Sequence, residues 1–274
     1  MPLQMVNDLT DVQAQVVIQE LLGLARVQYR LRQICRVIQM PHLVADIRTA
    51  TTYTGQEKVP ELVEADIKSH AYTKTSFNLW KNVVHLAISV EAKLKSDIDV
   101  MGLQIADAAK ELARMENSQI ATEFEADATS FNGNSWSTKT NGVSDYDPVA
   151  DILGASENIY VNGYNANQLV MNYQQYVDLV TNTHITSLLE RGTIVKTARL
   201  PAVAGFPMIL DENVTDDYVY ILDTNAPAII LGEGPEMAVM YGDDSPKFFN
   251  GYAVAKFLEP SFVVANAARN IACS

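Results

Sequence analysis

The sequence is short of the features that usually mark an enzyme, a membrane protein or a nucleic-acid binder. It has two cysteines, Cys35 and Cys273, near opposite ends and in no CxxC spacing. A disulfide scaffold or a zinc site needs more ligands at closer spacing, so both read as simple thiols of a reducing compartment. The four histidines, His42, His70, His85 and His184, are scattered and read as surface or satisfied residues rather than ligands. No apolar run approaches the roughly 20 residues that cross a bilayer. The opening MPLQMVNDLTDVQAQ lacks the basic start and apolar stretch of a signal peptide. The expectation is a soluble protein of intracellular origin with no membrane partner. Positive charge is also scarce: 20 Lys and Arg against 33 Asp and Glu give a net charge of −13. Proteins that grip nucleic acid through phosphates are basic. This balance excludes a sequence-specific DNA binder, but not a container whose inner wall borders packed DNA.

Motifs for chemistry are equally sparse. Gly232-Glu233-Gly234-Pro235 lacks the third glycine and following helix of a dinucleotide site. Neither a GxxxxGK[ST] loop nor a GxSxG elbow occurs. Tyr241-Gly242-Asp243-Asp244 matches a polymerase metal hairpin, with Asp211 and Asp216 upstream, and two-metal catalysis does need gathered carboxylates. Only about 30 residues separate the two acidic groups, too few for the intervening elements of a polymerase palm, so Gly-Asp-Asp-Ser-Pro reads as turn chemistry. Asp211, Glu212, Asp216 and Asp217 form the richest acidic cluster and offer oxygen ligands of the kind calcium takes, but without EF-hand spacing. The expectation is no catalytic residue, no cofactor and no metal.

What is present is an unusual order of segments in 274 residues, 48% of them apolar and 19% charged, a globular composition. Residues 11 to 39 read as helical, with Arg26, Arg30, Arg32 and Arg36 on no single face. Residues 46 to 75 read as a hairpin with a polar, extended arm that must pack on something else. From 76 to 90 the parity of Trp80, Val84, Leu86, Ile88 and Val90 predicts a strand, with Asn82 the exception on its apolar side. Ile98, Met101, Ile105, Ala108, Leu112 and Met115 step by 3 and 4, then Ile120 and Phe124 follow. This predicts one amphipathic helix over 97–125, roughly 43 Å long. A polar, turn-rich stretch at 127–146 contains Asn132-Gly133 and Asn141-Gly142. Asp147-Pro148 then caps a helix with a buried face of Val149, Ile152, Leu153, Ser156, Ile159 and Tyr160. Leu169–Met171 reads as a short strand, and Asn172 as the cap of the helix after it. Beyond Gly205 the chain reads as β, with strands at 206–210, 218–223, 228–231, 237–241 and 253–257, and a last strand in SFVVANAARNIA. The fold class is α+β.

That order resembles the major capsid proteins of tailed bacteriophages and their archaeal relatives, the Hong Kong ninety-seven capsid fold. Val59-Pro60 leads into the arm and Phe77 to Ile88 into the strand. Ala87-Ile88-Ser89-Val90-Glu91, with Asp97 after it, looks like the family's entry into its spine helix. Glu116 and Ile120 match the helix end, though the glycine expected there is displaced to Gly133. Asn167 to Tyr176 is similar to the family's strand-helix joint, with Tyr173 where proline is usual. Ala204-Gly205-Phe206-Pro207-Met208 and Pro260 to Ala272 look like later strands of the family.

The resemblance implies an N-terminal arm at 1–43, an extended E-loop at 44–75, a peripheral domain at 76–146 with the return of 251–274, and an axial domain at 147–250. It implies a structural protein, not an enzyme, that self-assembles into pentamers and hexamers of an icosahedral shell around double-stranded DNA held without sequence specificity. The location implied is the virion capsid, assembled in the host cytoplasm, with portal and scaffolding proteins as further partners. A scaffolding region before the arm is not seen, and the initial Met points to a separate scaffold. Some members cross-link Lys to Asn; Lys58 and Lys68 lie in the arm, and Asn250, Asn266 and Asn270 near the end. The alternative is an encapsulin-type nanocompartment that encloses enzyme cargo, which the helical 11–39 segment keeps open.

Overall fold

The computed structural model describes residue 16 and residues 19–50, 61, 72–89, 100–136, 147–182, 185, 202–226, 228–241 and 249–273. Helix α1 covers residues 19–26, a 3-10 turn spans Leu31–Ile34, and strand β1 runs Arg36–Gln39. Strands β2 (Val44–Ala50), β3 (Tyr72–Asn78) and β4 (Trp80–Ser89) precede the long helix α2 (Val100–Asp127). Then come β5 (Ser130–Phe131), α3 (Pro148–Val161), β6 (Gln168–Met171), α4 (Tyr173–Thr181), β7 (Ala202–Val203), β8 (Phe206–Leu210) and β9 (Tyr218–Leu222). The chain finishes with β10 (Ile229–Tyr241), β11 (Phe249–Phe262) and β12 (Ala268–Ala272).

Three sheets result. A four-stranded sheet has the order β1-β10-β11-β4, a six-stranded sheet the order β5-β12-β9-β6-β8-β7, and β2 and β3 pair with each other. Helix α2 has 28 residues, about 42 Å of helix, and its stripe meets two cores in turn. Ile105, Ala108, Ala109, Leu112 and Ala113 pack with Leu21, Leu22 and Ala25 of α1 and Leu86 of β4. Further along, Ile120, Ala121 and Phe124 pack with Tyr220, Leu222 and Leu231, and Phe124 stacks on Tyr220 at 4.8 Å. A third core sits under α3 and α4, where Trp136, Ile152, Ile159, Leu169 and Leu179 are fully buried. The alanines on α2 keep its surface thin, and this lets α1 and the sheet approach.

Local chemistry sets the joints. Asp147 caps α3 by accepting from the Val149 N–H, with Pro148 in the first turn, and Asn172 caps α4 by accepting from Gln174 N–H. Ala204 and Gly205 both have positive φ, the geometry of a two-residue turn between β7 and β8. Gly133 lies against β12: a Cβ there would sit 2.4 Å from the Ala272 carbonyl oxygen. In β10 the register slips between Glu233 and Glu236, a bulge at Gly234-Pro235 where proline offers no N–H to the ladder.

Several elements differ from what periodicity predicts. The helix expected over 11–39 is helical at residue 16 and over 19–26; residues 36–39 instead pair in parallel with β10, Val37 opposite Leu231. A sheet edge offered by β10 outweighs helix propensity there. The strands expected at 228–231 and 237–241 are one strand joined through the bulge, and the expected 253–257 strand is the middle of β11. The last segment breaks at a 3-10 turn, Ala265–Ala267, so β11 ends in the four-stranded sheet while β12 enters the six-stranded one. On α3, Leu153 is 50% and Tyr160 72% exposed, while Asp151 is buried because it accepts from Trp136 Nε1 and Asn134 N. Asn82 is buried on the apolar side of β4, where its amide exchanges two hydrogen bonds with the Gln119 amide. The start of the helix expected at 97, Asn141-Gly142, and most of the 51–71 arm lie outside the described residues.

Candidate functional site

The densest polar constellation lies where four separate segments meet. Arg32 and Tyr29 come from the segment after α1, Glu116 from the middle of α2, Glu233 from the bulge of β10, and Lys256 from β11. Arg32 forks onto Glu233, with Nη1 to Oε1 at 3.0 Å and Nη2 to Oε2 at 2.6 Å, and also reaches Glu116 Oε1 at 3.3 Å. Lys256 Nζ donates to Glu116 Oε2 and lies 2.8 Å from both that oxygen and Glu233 Oε1. Its third proton goes to Tyr29 Oη at 3.3 Å. The Tyr29 ring faces both cations, with its centroid 4.5 Å from Lys256 Nζ and 5.3 Å from the Arg32 guanidinium carbon. Gln39 Nε2 donates to Glu233 Oε2. Beside this, Asn117 clasps the turn after α1: its Oδ1 accepts from Leu31 N–H at 3.2 Å and its Nδ2 donates to the Gln28 carbonyl at 3.3 Å.

The Glu116 side chain is wholly buried and that of Lys256 is 1% exposed. Ions so placed survive only when paired and hydrogen-bonded. Two cations and two carboxylates make the cluster neutral. Burial alone would raise the Glu233 carboxyl, but hydrogen bonds and charge from Arg32 and Lys256 hold it down at about 2. Burial works against the Lys256 ammonium, yet Glu116, Tyr29 and Glu233 leave it above its ordinary value. Burial also pushes the Tyr29 phenol up. A lysine whose three protons are all engaged is not a nucleophile, and carboxylates bound to two cations are poor bases. The arrangement fastens the segment after α1 to α2, β10 and β11. A cavity of about 240 Å³ opens beside it, lined by Arg26, Gln39 and Glu236 among others.

The residues singled out by sequence are dispersed. Arg32 enters the cluster, whereas Arg30 donates to the Leu210 carbonyl at 3.0 Å, tying the same turn to β8. Asp211 is buried and accepts from Asn213 N–H and Nδ2, turn chemistry rather than metal ligation, while Glu212, Asp216 and Asp217 are exposed. Among the described residues no group of three or more His, Cys, Asp and Glu is placed to hold a metal ion. Gly242, Asp243 and Asp244 lie outside the described residues, as do Lys58, Lys68, His70 and His184. Gly232 to Pro235 forms the bulge, not a phosphate loop. Asn270 is buried in β12 and Asn266 is exposed. Cys35 and Cys273 are free thiols whose ionisation burial pushes up. No helix among the described residues is long and apolar enough to cross a membrane.

Beyond the family likeness that Glu116 carries and the rejected glycine motif around Glu233, the signal in Glu116, Glu233 and Lys256 was that each is a misfit. Glu116 stands in the i+4 row of Leu112, Ile120 and Phe124. Lys256 shares parity with buried Val254 and Leu258, and Glu233 with buried Leu231. A charge at a core position of three different elements is the signal that they meet.

The architecture has close counterparts. The capsid of the native GTA particle is similar over 90% of each chain at 13% identity, with a TM-score of 0.66. Gordonia phage Cozz supplies a chain similar over 90% of this one and 87% of that one at 14% identity, TM-score 0.70. The virus-like particle from Pyrococcus furiosus is similar over 92% of this chain and 96% of that one at 11% identity, TM-score 0.65. These likenesses show the fold, which is the Hong Kong ninety-seven capsid type. No curated protein matches the chain by sequence. The family model described as phage capsid protein matches residues 86–266, from β4 to the turn before β12. That match takes in the long helix, most strands of both large sheets and three of the four segments that meet at the buried ions, and the chain therefore belongs to the phage capsid protein family.

Proposed function

We propose that this capsid protein is the major shell subunit of a tailed virus, and that it self-assembles into pentamers and hexamers of an icosahedral shell around double-stranded DNA. The observation that carries the reading is the β2–β3 hairpin. Its seven-residue strands pair from Val44 opposite Asn78 to Ala50 opposite Tyr72, and with no other strand among the described residues. Among the described residues its base packs on the body through Ala45, Ile47 and Phe77, in one cluster with Met40 and Ile230. Two strands alone are marginal in water, so such an arm gains its stability by lying on a neighbouring copy. Many modest contacts of this kind add up in a closed assembly.

In this reading residues 1–43 are the arm and 44–75 the E-loop. Residues 76–146 with 251–274 are the peripheral domain and 147–250 the axial domain, with β10 and β12 each crossing between them. The net charge of −13 suits a wall that borders DNA without gripping its sequence. Portal and scaffolding proteins are its further partners, and assembly takes place in the host cytoplasm. The role is structural and needs no cofactor or catalysis. Electron microscopy of the protein expressed alone tests this: polyhedral particles or capsomer rings in the megadalton range are expected, and a compact monomer at high concentration refutes it. The similarity to a virus-like particle from Pyrococcus furiosus favours a second reading, an encapsulin-type compartment. Nuclease-protected DNA inside natively produced particles supports the virion; a co-purifying enzyme inside them supports the compartment.

A further inference from the structure

Strand β4 carries its core on even-numbered positions. Leu86 is buried under α2, Val84 is half-buried, and Asn82 is locked to Gln119 of the same helix. The next even position is Trp80, and there the cover stops: Trp80 is 70% exposed. It pairs with Leu258, the last rung before the chain turns out of the four-stranded sheet into the hairpin. Leu79 N–H donates to the Leu43 carbonyl at 2.8 Å and Val44 pairs with Asn78, so Leu43 and Val44 lie across from the two residues that lead into Trp80. Leu43 is 46% and Val44 64% exposed. One corner at the root of the hairpin thus offers a tryptophan and two aliphatic side chains to water, roughly 300 Å² of apolar surface.

We propose that Trp80, with Val44 and Leu43, is a docking point for a second copy of this chain. The inference rests on the shell reading above and adds the residue that anchors the contact. Size selects the occupant. A free-standing partner contributes about 800 Å² per side, and this corner supplies well under half of that. It suits an occupant held by further contacts at the same time, as a copy in a closed shell is. Position agrees: the patch continues into the hairpin that needs a neighbour for its own stability. Tryptophan is also the side chain most enriched among residues that dominate association energy.

The chain has two tryptophans, and Trp136 is fully buried, so iodide quenching of fluorescence reports Trp80. Expected is strong quenching in isolated subunits or capsomers and a several-fold smaller quenching constant in assembled shells. Trp80→Ser should leave the subunit's thermal midpoint unchanged and raise the protein concentration needed for assembly about tenfold or more. Trp80→Phe should recover most of that loss. Wild-type shells in which Trp80 is quenched as strongly as in free subunits overturn the contact and leave the shell reading standing. Protection that appears only after a different virion protein is added assigns the corner to that protein and overturns the inference as stated. A wild type that never forms particles removes both readings together.

Discussion

Replacing Lys256 by methionine removes one charge from the buried cluster while keeping most of the side-chain volume. Lys256 serves two carboxylates, and the loss falls unevenly on them. Glu233 keeps the forked Arg32 pair and Gln39; Glu116, wholly buried, keeps a single contact to Arg32 at 3.3 Å. Breaking one partner of a buried pair costs about 3–5 kcal/mol, because the other ion stays desolvated. The pH linkage gives a figure of the same size. Holding the Glu233 carboxyl at about 2 rather than the ordinary 4.5 contributes about 3 kcal/mol. A depressed carboxyl stabilises the fold above about pH 4.5 and loses that contribution as pH falls toward 2. The raised Lys256 contributes below its ordinary 10.5 and loses its share only at more alkaline pH. The wild type should therefore have a broad plateau that falls on the acid side. Lys256→Met should melt roughly 10 °C lower at pH 7. Its acid dependence should flatten, since Glu233 then loses one of the two cations that hold its carboxyl down. Thermal unfolding followed by near-ultraviolet circular dichroism at several pH values reads both effects. Adding Glu116→Leu to Lys256→Met should recover part of the loss. A single substitution that melts within about 2 °C of the wild type, or a double one that merely sums two losses, refutes the account.

Two shorter expectations follow from the packing. Gly133→Ala drives a Cβ to 2.4 Å from the Ala272 carbonyl and 2.7 Å from Ile271 Cγ2, so β12 must shift. A loss of about 2 kcal/mol or more is expected, read as a lower thermal midpoint, whereas Gly23→Ala, with open space around its Cβ on α1, should cost nothing. Cys273 is buried and burial pushes its thiol up, so it should not react with a disulfide reagent at pH 8 in the native protein and should react on unfolding, with the half-buried Cys35 the faster of the two.

The parts of the fold that were legible in the sequence are those fixed by local chemistry. The i, i+3, i+4 row of Ile105, Ala108, Leu112, Ile120 and Phe124 is the buried stripe of α2. Asp147-Pro148 and Asn172 start α3 and α4 where capping chemistry puts them. The parts decided by distant partners were not legible. Residues 36–39 become a strand because β10 offers an edge about 200 residues away in sequence. Leu153 and Tyr160 follow the apolar rule for α3 yet face outward, since Asp151, bonded to Trp136, takes the inner position. In a shell subunit such outward apolar positions carry information that a rule for isolated domains misreads. Arg32 was visible only as one of four arginines, and its role emerged when Glu116, Glu233 and Lys256 arrived from three other elements.

Four ions at the root of an arm raise the question of why evolution did not use four apolar side chains. Stability is not the reason, since a well-packed apolar replacement of a buried ion group is often neutral or stabilising by about 1–4 kcal/mol. Geometry is a better reason. Apolar packing is non-directional, and an arm held by it can slide. The fork of Arg32 on Glu233, the three bonds of Lys256, and the Asn117 clasp on Gln28 and Leu31 admit one register. In the proposed shell, where the segment leaves every subunit in the same direction, that restriction is an advantage. The quadruple variant Arg32→Met, Glu116→Leu, Glu233→Met, Lys256→Met should then unfold at a temperature equal to or above that of Lys256→Met. Its amide hydrogens at residues 28–39 should exchange faster than wild type, and its particles should be more heterogeneous in size by electron microscopy. Uniform particles with native exchange at 28–39 would show that packing alone sets the direction of the arm and that the charges have another purpose.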